Sequence, residues 1–512
     1  MEQGDGSRMR IFPLAGLVVA TLAAGSPTLA APPGAPEGTS VKPYAEAVGG
    51  EYEVQPLLSV GDRVQETTHP NLQYQMIGIP DGLGAHAVEN GRAVLYMNHE
   101  LVNTVTSEPV VAAPLNRGAF VSKYILDEDG DAITGERAYD FVYQENAFVG
   151  PAAQTDNATP AFARFCAAYL AGPADGFDRQ IYLTNEEADG PATFDPAGGQ
   201  TVAVFDNEAH ALPKLGRFSK ENSVVKPGTG ERTVVLPLED GPSSPDSQLY
   251  LYVGRKSTRP GVSVLRRNGL DNGKLFVFVP KDPSKNSELT FQEGTISGRW
   301  VEVPNAESLT DVQLEAEADA LGAFGFVRIE DGAFSKTDSD RLFFDTTGGN
   351  EAAGNTLGRL YELRFGASGP LSSPTLTVIY NADRVIAAGG DIAVSPDNVD
   401  TSENSLMVQE DGTTQSRLIM AQKDRDGSIW RFPLVNGSVD VAGRERVVEL
   451  NPPGRDNIEV NAGIWETSGI IDASSIYGAD TWLFDVQAHP PTTAPFPNTV
   501  EDGQLLLLRP GS

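Results

Sequence analysis

Short apolar runs bounded by glycine, proline and acidic residues recur along the chain from about residue 90 to the C-terminus. The 3.6-residue spacing of an amphipathic helix is almost absent, with short helices expected only over 311–321 and 160–170. The runs come in pairs, the second usually opened by glycine and following the first 18 to 29 residues later, centre to centre. The pairs are 93–100 with 120–126, 180–187 with 199–205, 248–253 with 273–278, 341–345 with 358–363, 405–411 with 427–432, and 481–485 with 503–508. Their first members centre on residues 95, 183, 251, 343, 407 and 483, so the unit repeats every 64 to 92 residues. That exceeds the ~40–50 residues of a simple propeller repeat, and long insertions must separate the strands. The pattern predicts an all-β chain: a six-bladed β-propeller with long insertions and a few short helices, in which radial blades protect most strand edges. A pair of β-sandwiches or a β-helix is the alternative. No boundary divides 46–512, which reads as a single domain.

Composition narrows the function. The 512 residues carry 38 Lys+Arg against 70 Asp+Glu, a formal net charge of −32. Nucleic-acid binding needs a basic face to displace counterions, and this balance argues against it. Gly 53 and Pro 36 suit many tight turns, and 40 % hydrophobic residues supply a core. One cysteine excludes an intrachain disulfide and any all-cysteine metal cage.

The N-terminus has a basic start at Met9-Arg10, an apolar stretch through Ala24 and a small-residue end at Thr28-Leu29-Ala30. This reads as a secretory signal peptide over 1–30, followed by a flexible Pro/Gly/Ala-rich tail over 31–45. A membrane anchor is the alternative, but the apolar run falls short of the ~20 residues a span needs. The expected location is the periplasm or the exterior, without stable membrane insertion.

Candidate chemistry is acidic. Five of the six first strands run into carboxylates: Glu100, Glu186 with Glu187, Asp345, Glu410 with Asp411, and Asp485. If those strands line one axis, their charges must protonate or bind cations, and oxygen ligands select hard ions such as Ca²⁺. Glu-Asp-Gly occurs at residues 239–241, 330–332 and 410–412, where glycine lets two acids turn toward one point. The acidic stretch 127–131 lacks EF-hand spacing and reads as a hairpin tip. The histidines show no H-x-x-x-H pair, and neither a G-x-S-x-G elbow nor a Walker loop is present. Cys166, among small and aromatic residues, reads as a packed core side chain.

Several motifs taken in order resemble the PhoX-type alkaline phosphatases. They include Tyr96-Met97-Asn98-His99-Glu100, Phe165-Cys166-Ala167-Ala168-Tyr169-Leu170, Tyr182-Leu183-Thr184-Asn185-Glu186-Glu187 and Leu238-Glu239-Asp240-Gly241. Further on come Phe326-Val327-Arg328-Ile329-Glu330-Asp331-Gly332, Pro396-Asp397-Asn398, Val408-Gln409-Glu410-Asp411-Gly412 and Trp465-Glu466-Thr467-Ser468-Gly469. The resemblance implies an exported phosphomonoesterase on a six-bladed propeller, with a calcium-rich centre that often includes iron and a small phosphate ester as substrate. It implies metal-ligand roles for Glu186, Glu187, Glu239, Glu330 and Asp411, and a phosphate-contacting role for Arg328. Its rival for Arg328 is a structural ion pair with Glu330 or Asp331.

Two departures bear on iron. Asn185 stands where a cysteine precedes the Glu-Glu pair in iron-binding members, and the leader reads Arg8-Met9-Arg10 without a twin arginine. They lead to an expectation of Ca²⁺ as the cofactor and of iron as dispensable. Two other functions fit a calcium-stabilised propeller: a binding protein without catalysis, and a lactonase-type hydrolase.

Overall fold

The computed structural model describes residues 38–241, 246–450, 462–489 and 496–511; the expected signal peptide and the tail up to residue 37 lie outside these segments. Each of the six expected strand pairs forms an antiparallel pair. They are Ala93–His99 with Phe120–Leu126, Ile181–Glu186 with Thr201–Phe205, Tyr250–Arg255 with Lys274–Pro280, Arg341–Thr346 with Arg359–Arg364, Ser405–Glu410 with Ser428–Val435, and Trp482–Ala488 with Asp502–Pro510. Each belongs to one blade of a six-bladed propeller.

The expectation that the first member of each pair lines the axis is corrected. The axis is lined by six strands that precede the pairs: Pro80–Ala87, Phe165–Ala171, Ser223–Val225, Ile329–Phe334, Pro396–Thr401 and Glu466–Asp472. Each of them neighbours the next, and the last returns to the first, so the ring closes. Their sequences (PDGLGAHA, IEDGAF, PDNVDT, ETSGIID) are small and polar because they pack around a narrow acidic axis rather than in an apolar layer. The expected helix over 160–170 is one of them, Phe165–Ala171, and its small residues suit that crowded position. The helix Asp311–Leu321 forms as expected, with a capping box between Thr310 and Gln313 and Gly322 in the left-handed region at its end.

The apolar runs follow from blade stacking. Six hydrophobic clusters fill the six gaps between neighbouring blades, and a strand buried on both faces shows little alternation. In the run 505–508, Leu505 and Leu507 pack toward the first blade with Leu95, Met97 and Tyr124, while Leu506 and Leu508 pack toward the fifth with Met407 and Ile429. The ring is tied by its ends. Tyr52–Ser59 adds a strand to the C-terminal strand Asp502–Pro510, and Ala45–Ala47 pairs with Glu445–Leu450 at the edge of the fifth blade. Residues 38–45, the end of the segment expected to be a tail, run onto this edge with Tyr44 and Ala45 buried. No helix among the described residues is long and apolar enough to cross a membrane.

Five of the six axial strands carry a β-bulge near their start: between Asp81 and Leu83, Phe165 and Ala168, Ile329 and Gly332, Pro396 and Val399, and Ser468 and Ile470. A bulge adds a residue opposite one partner and re-aims the side chains beside it. Here it turns acids at the strand entrance inward to the axis. In the first blade only glycine fits behind the bulge, since a Cβ on Gly82 would lie 2.5 Å from the carbonyl oxygen of Cys166.

His99 sits in the core of that blade, stacked on Phe120 with ring centroids 4.5 Å apart, its Nε2 2.7 Å from the Ser122 hydroxyl. Burial lowers its pKa to about 4, so the imidazole is neutral in the fold. A folded-state pKa below the unfolded ~6.5 means that protons bind the unfolded chain more tightly. The stability this supplies is complete above pH 6.5 and is lost as pH falls through 4, roughly 3 kcal/mol in all. The melting temperature of a His99→Asn variant should therefore decline less steeply than that of the native protein between pH 6.5 and 4; parallel declines would refute this.

Candidate metal centre

Three overlapping groups of ligand-capable side chains sit at the entrance of the axial strands. They are Asp81 with Glu100 and Cys166, Cys166 with Glu187 and Glu221, and Glu221 with Glu330 and Asp397, the ligand atoms of each group lying within 4.8 Å of one another. Cys166 and Glu221 are shared, so the groups form one continuous string. The elements that place them are consistent. Asp81, Cys166, Glu330 and Asp397 lie at the bulges or entrances of their axial strands, and Glu221 lies two residues before the third. Glu100 and Glu187 follow directly on the ends of Ala93–His99 and Ile181–Glu186.

Burial is the main force on Asp81, Glu187, Glu221, Glu330 and Asp397, and neighbouring acids add to it. It pushes the Asp81 carboxyl up to about 7, with Glu100 as the second cause. Glu221 is raised by burial and by Glu330 and Asp81, and Asp397 by burial and by Glu221 and Glu330. Glu330 is raised by burial and Asp240, against the pull of Arg328. Glu187 is also raised by burial, against the pull of Arg164. Two arginines partly balance this charge. Arg164 lies 2.7 Å from Glu100 and 2.6 Å from Glu187. Arg328 forms a two-point contact with Asp240, Nε to Oδ1 at 2.9 Å and Nη2 to Oδ2 at 3.0 Å, and reaches Glu330 at 3.3 Å. Both arginines hold the left-handed backbone region, φ 43° and 58°, a strained choice for a side chain of this size that the surroundings must impose. For Arg328 they do so through the Ser247 hydroxyl, which accepts its N–H at 3.1 Å, and the Thr347 N–H, which donates to its carbonyl at 3.0 Å.

Six carboxylates and a thiol against two guanidiniums leave an excess of buried negative charge. Protons or cations must relieve it. The donor set fits metal ions: carboxylate oxygens suit hard divalent cations, and one thiolate suits a softer ion beside them.

The residues singled out in the sequence separate here. Glu187 and Glu330 join the string, and so does Glu100 from the acids at the strand ends. Glu186 faces the other side of its strand, where its carboxylate accepts backbone N–H groups of Ala163, Phe194 and Gln200 at 3.1, 2.8 and 3.3 Å. Glu239 accepts the Gln248 N–H at 2.6 Å and lies toward Glu315 on the flanking helix. Asp411 hydrogen-bonds Glu466 and the Gly412 N–H. Burial pushes it up, but the Glu466 bond and the charge of Arg328 outweigh this and leave it low. Glu466 in turn faces His489, whose two carboxylate neighbours Glu466 and Glu501 overcome burial and raise its pKa to about 11. Asp345 and Asp485 lie behind bulges, fully buried and in none of the three groups, though Glu330 acts on the first and Asp81 on the second.

Four members of the string were passed over as ligands. Asp81 and Glu221 stand outside any apolar run, Asp397 is visible only in a short Pro-Asp-Asn motif, and Cys166 reads as a core residue. The Asp81-Gly82 pair carried the usable signal, an acid beside a glycine as in Glu330-Asp331-Gly332. Asn185, on which the case against iron rested, does not face the string. Its Oδ1 accepts the Ser223 hydroxyl at 2.6 Å and its Nδ2 donates to the Ala167 carbonyl at 3.3 Å, so it pins the second blade to the third. The chain's thiol is at the centre all the same, since Cys166 Sγ lies 3.1 Å from Asp81 Oδ2.

The model of the alkaline phosphatase PhoX family matches residues 202–459, just over half of the sequence. The chain belongs to that family. Its fold is similar to that of Pseudomonas fluorescens PhoX in complex with vanadate, a transition state analogue, with a TM-score of 0.63 and 15 % identity over 93 % of this chain and 98 % of that one. Looser likenesses link it to Penicillium chrysogenum alpha-L-arabinanase complexed with arabinobiose (TM-score 0.39, 11 % identity, 88 % of this chain and 98 % of that one) and to Pseudomonas aeruginosa periplasmic gluconolactonase (0.32, 11 %, 78 % and 96 %). At those scores they carry no weight. No curated protein sequence matches. For a PhoX-family chain the acidic string at the end of the axis is the place to look for chemistry, and the Arg328 fork lies beside it.

Proposed function

We propose that this protein is an exported, metal-dependent phosphomonoesterase whose centre is the string from Glu100 to Asp397. The observation that carries the reading is the shared string of ligand-capable groups with the Arg328 fork at its edge. Family membership supports phosphatase chemistry, and the donor set supports Ca²⁺ held by Asp81, Glu100, Glu187, Glu221, Glu330 and Asp397. Cys166 offers a place for a softer ion such as iron, which reopens what Asn185 had closed. Metal ions held there supply Lewis acidity and neutralise phosphoryl charge. The chain supplies the rest. Arg328 presents a planar fork matched to two phosphoryl oxygens, and Asp240 holds that fork in plane until a dianion competes for it. Arg164 fixes Glu100 and Glu187 relative to each other, while the Gln487 amide, 3.2 Å from Asp81 and 3.1 Å from Glu100, fixes the other edge.

Release of p-nitrophenol from its phosphate monoester, with little from the bis(p-nitrophenyl) diester, is the expected result, together with metal in the purified protein. A protein with metal but no turnover would favour the binding-protein reading, and lactone opening without phosphatase activity would favour the lactonase.

Cation binding should also stabilise the fold, because it offsets the burial, and the repulsion added to it, that raise the carboxyls of Asp81, Glu187, Glu221, Glu330 and Asp397. A ligand at one hundred times its Kd adds about 2.7 kcal/mol to the native state. Thermal melts with excess Ca²⁺ and with chelator should differ by several degrees, and superimposable curves would sink the idea.

A further inference from the structure

At the end of the third blade away from the metal centre, the chain turns through a segment of opposite character to the rest. Residues 255–267 contain five Lys and Arg and no Asp or Glu, in a protein of net charge −32. The segment leaves the strand Tyr250–Arg255 at the end where Arg255 pairs with Arg232, whereas Glu221 and the string lie beyond the opposite end, where Ser223 pairs with Pro237. It borders an open depression of about 1090 Å³, whose lining includes Arg255, Lys256, Arg259, Arg266, Glu231 and Asp271.

The local charge is not cancelled. Arg266 is held by Asp271 at 2.6 Å, and Arg255 meets Glu231 at 3.1 Å in a pair so exposed that it is worth little. Arg267 is taken by Asp178, away from the depression. Lys256 donates to the Asp175 backbone carbonyl at 3.3 Å and also feels the charge of the Asp175 carboxylate. Arg259 is exposed and has no ion pair among the described residues. The lining carries four basic side chains against two acidic ones, and with Asp175 set against Lys256 it still keeps a positive excess; acids farther than the ~8 Å Debye length of physiological salt do little to oppose it.

We propose that this depression binds a soluble polyanion carrying several phosphate or sulfate ester groups, independently of the metal centre. Guanidinium forks at Arg255 and Arg259 suit the paired oxygens of such groups. A depression of this volume suits a compact soluble anion, and vesicles serve as the competing case in the test. The position also leaves the metal centre clear, so occupancy need not obstruct turnover.

Sucrose octasulfate is a suitable probe because it offers no phosphate ester for the centre to cleave. Calorimetric titration of the metal-loaded protein should show one site, weakening as salt rises. The double variant Arg255→Glu with Arg259→Glu should weaken binding at least ~10-fold while p-nitrophenyl phosphate turnover is unchanged. Arg259→Ala alone, at a side chain with no ion pair to lose, guards against misfolding and should weaken binding in the same direction. Equal binding by native protein and variants, or no binding by the native protein, would overturn the proposal. So would binding to phosphatidylglycerol vesicles without binding to the soluble probe.

Discussion

Replacing Glu221 by Gln should lower kcat/KM for a phosphate monoester at least ~100-fold and reduce the metal content of the purified protein. Glu221 is the carboxylate shared by two of the three groups, so its loss weakens the string at its middle rather than at an end. The stability effect should change sign with metal. With metal bound, the variant loses an anionic ligand and should melt lower than the native protein. With chelator, it loses a buried charge facing Glu330 and Asp81 and should melt higher, because truncating one member of a like-charge set relieves repulsion. A purely structural Glu221, valued for the Ala167 N–H it accepts at 3.2 Å, predicts the same shift with and without metal, since the glutamine oxygen can accept that bond too. Crossing melting curves support the metal reading, and two curves shifted the same way defeat it.

How much of this was legible in the sequence depended on what each strand packs against. The paired strands were visible because both faces meet apolar neighbours: Leu505 to Leu508, or the run Ile181 to Leu183, cannot be mistaken for loop. The axial strands were not, since a strand whose task is to bring Asp81, Glu330 or Asp397 to a crowded centre is short, polar and glycine-bearing. It therefore lacks both signals by which strands are found. Phe165–Ala171 was misread as helix for the same reason, its alanines reflecting narrow space rather than helix propensity. The site split along the same line. Adjacent acids on a strand point to opposite sides, so of Glu186 and Glu187 only one could reach the centre, and period two alone does not say which. In the fold Glu186 turns to the backbone N–H groups of Ala163, Phe194 and Gln200 and Glu187 to the string, a choice that leaves no mark in a single sequence.

Arg328 carries the last expectation. Its fork is engaged by Asp240, not by Asp331, and it reaches Glu330 as well, so the structural-bridge rival is half realised in the geometry. The left-handed backbone does not separate the two roles, because Arg164 shares it while serving only to pair Glu100 with Glu187; substitution does. Arg328→Lys keeps the charge but loses the two-point fork, and kcat/KM should fall at least ~10-fold, equivalent to 1.4 kcal/mol, with the melting temperature nearly unchanged. Asp240→Asn keeps the shape but frees the fork from a competing carboxylate. If Asp240 only holds Arg328 for substrate, that variant should bind phosphate product more tightly while turning over more slowly, because the guanidinium is less well placed. If the pair is structural, both variants lose stability by a similar amount and turnover survives in each. A double variant whose kcat/KM is no worse than that of Arg328→Lys alone would show that the two residues act as one unit at the substrate.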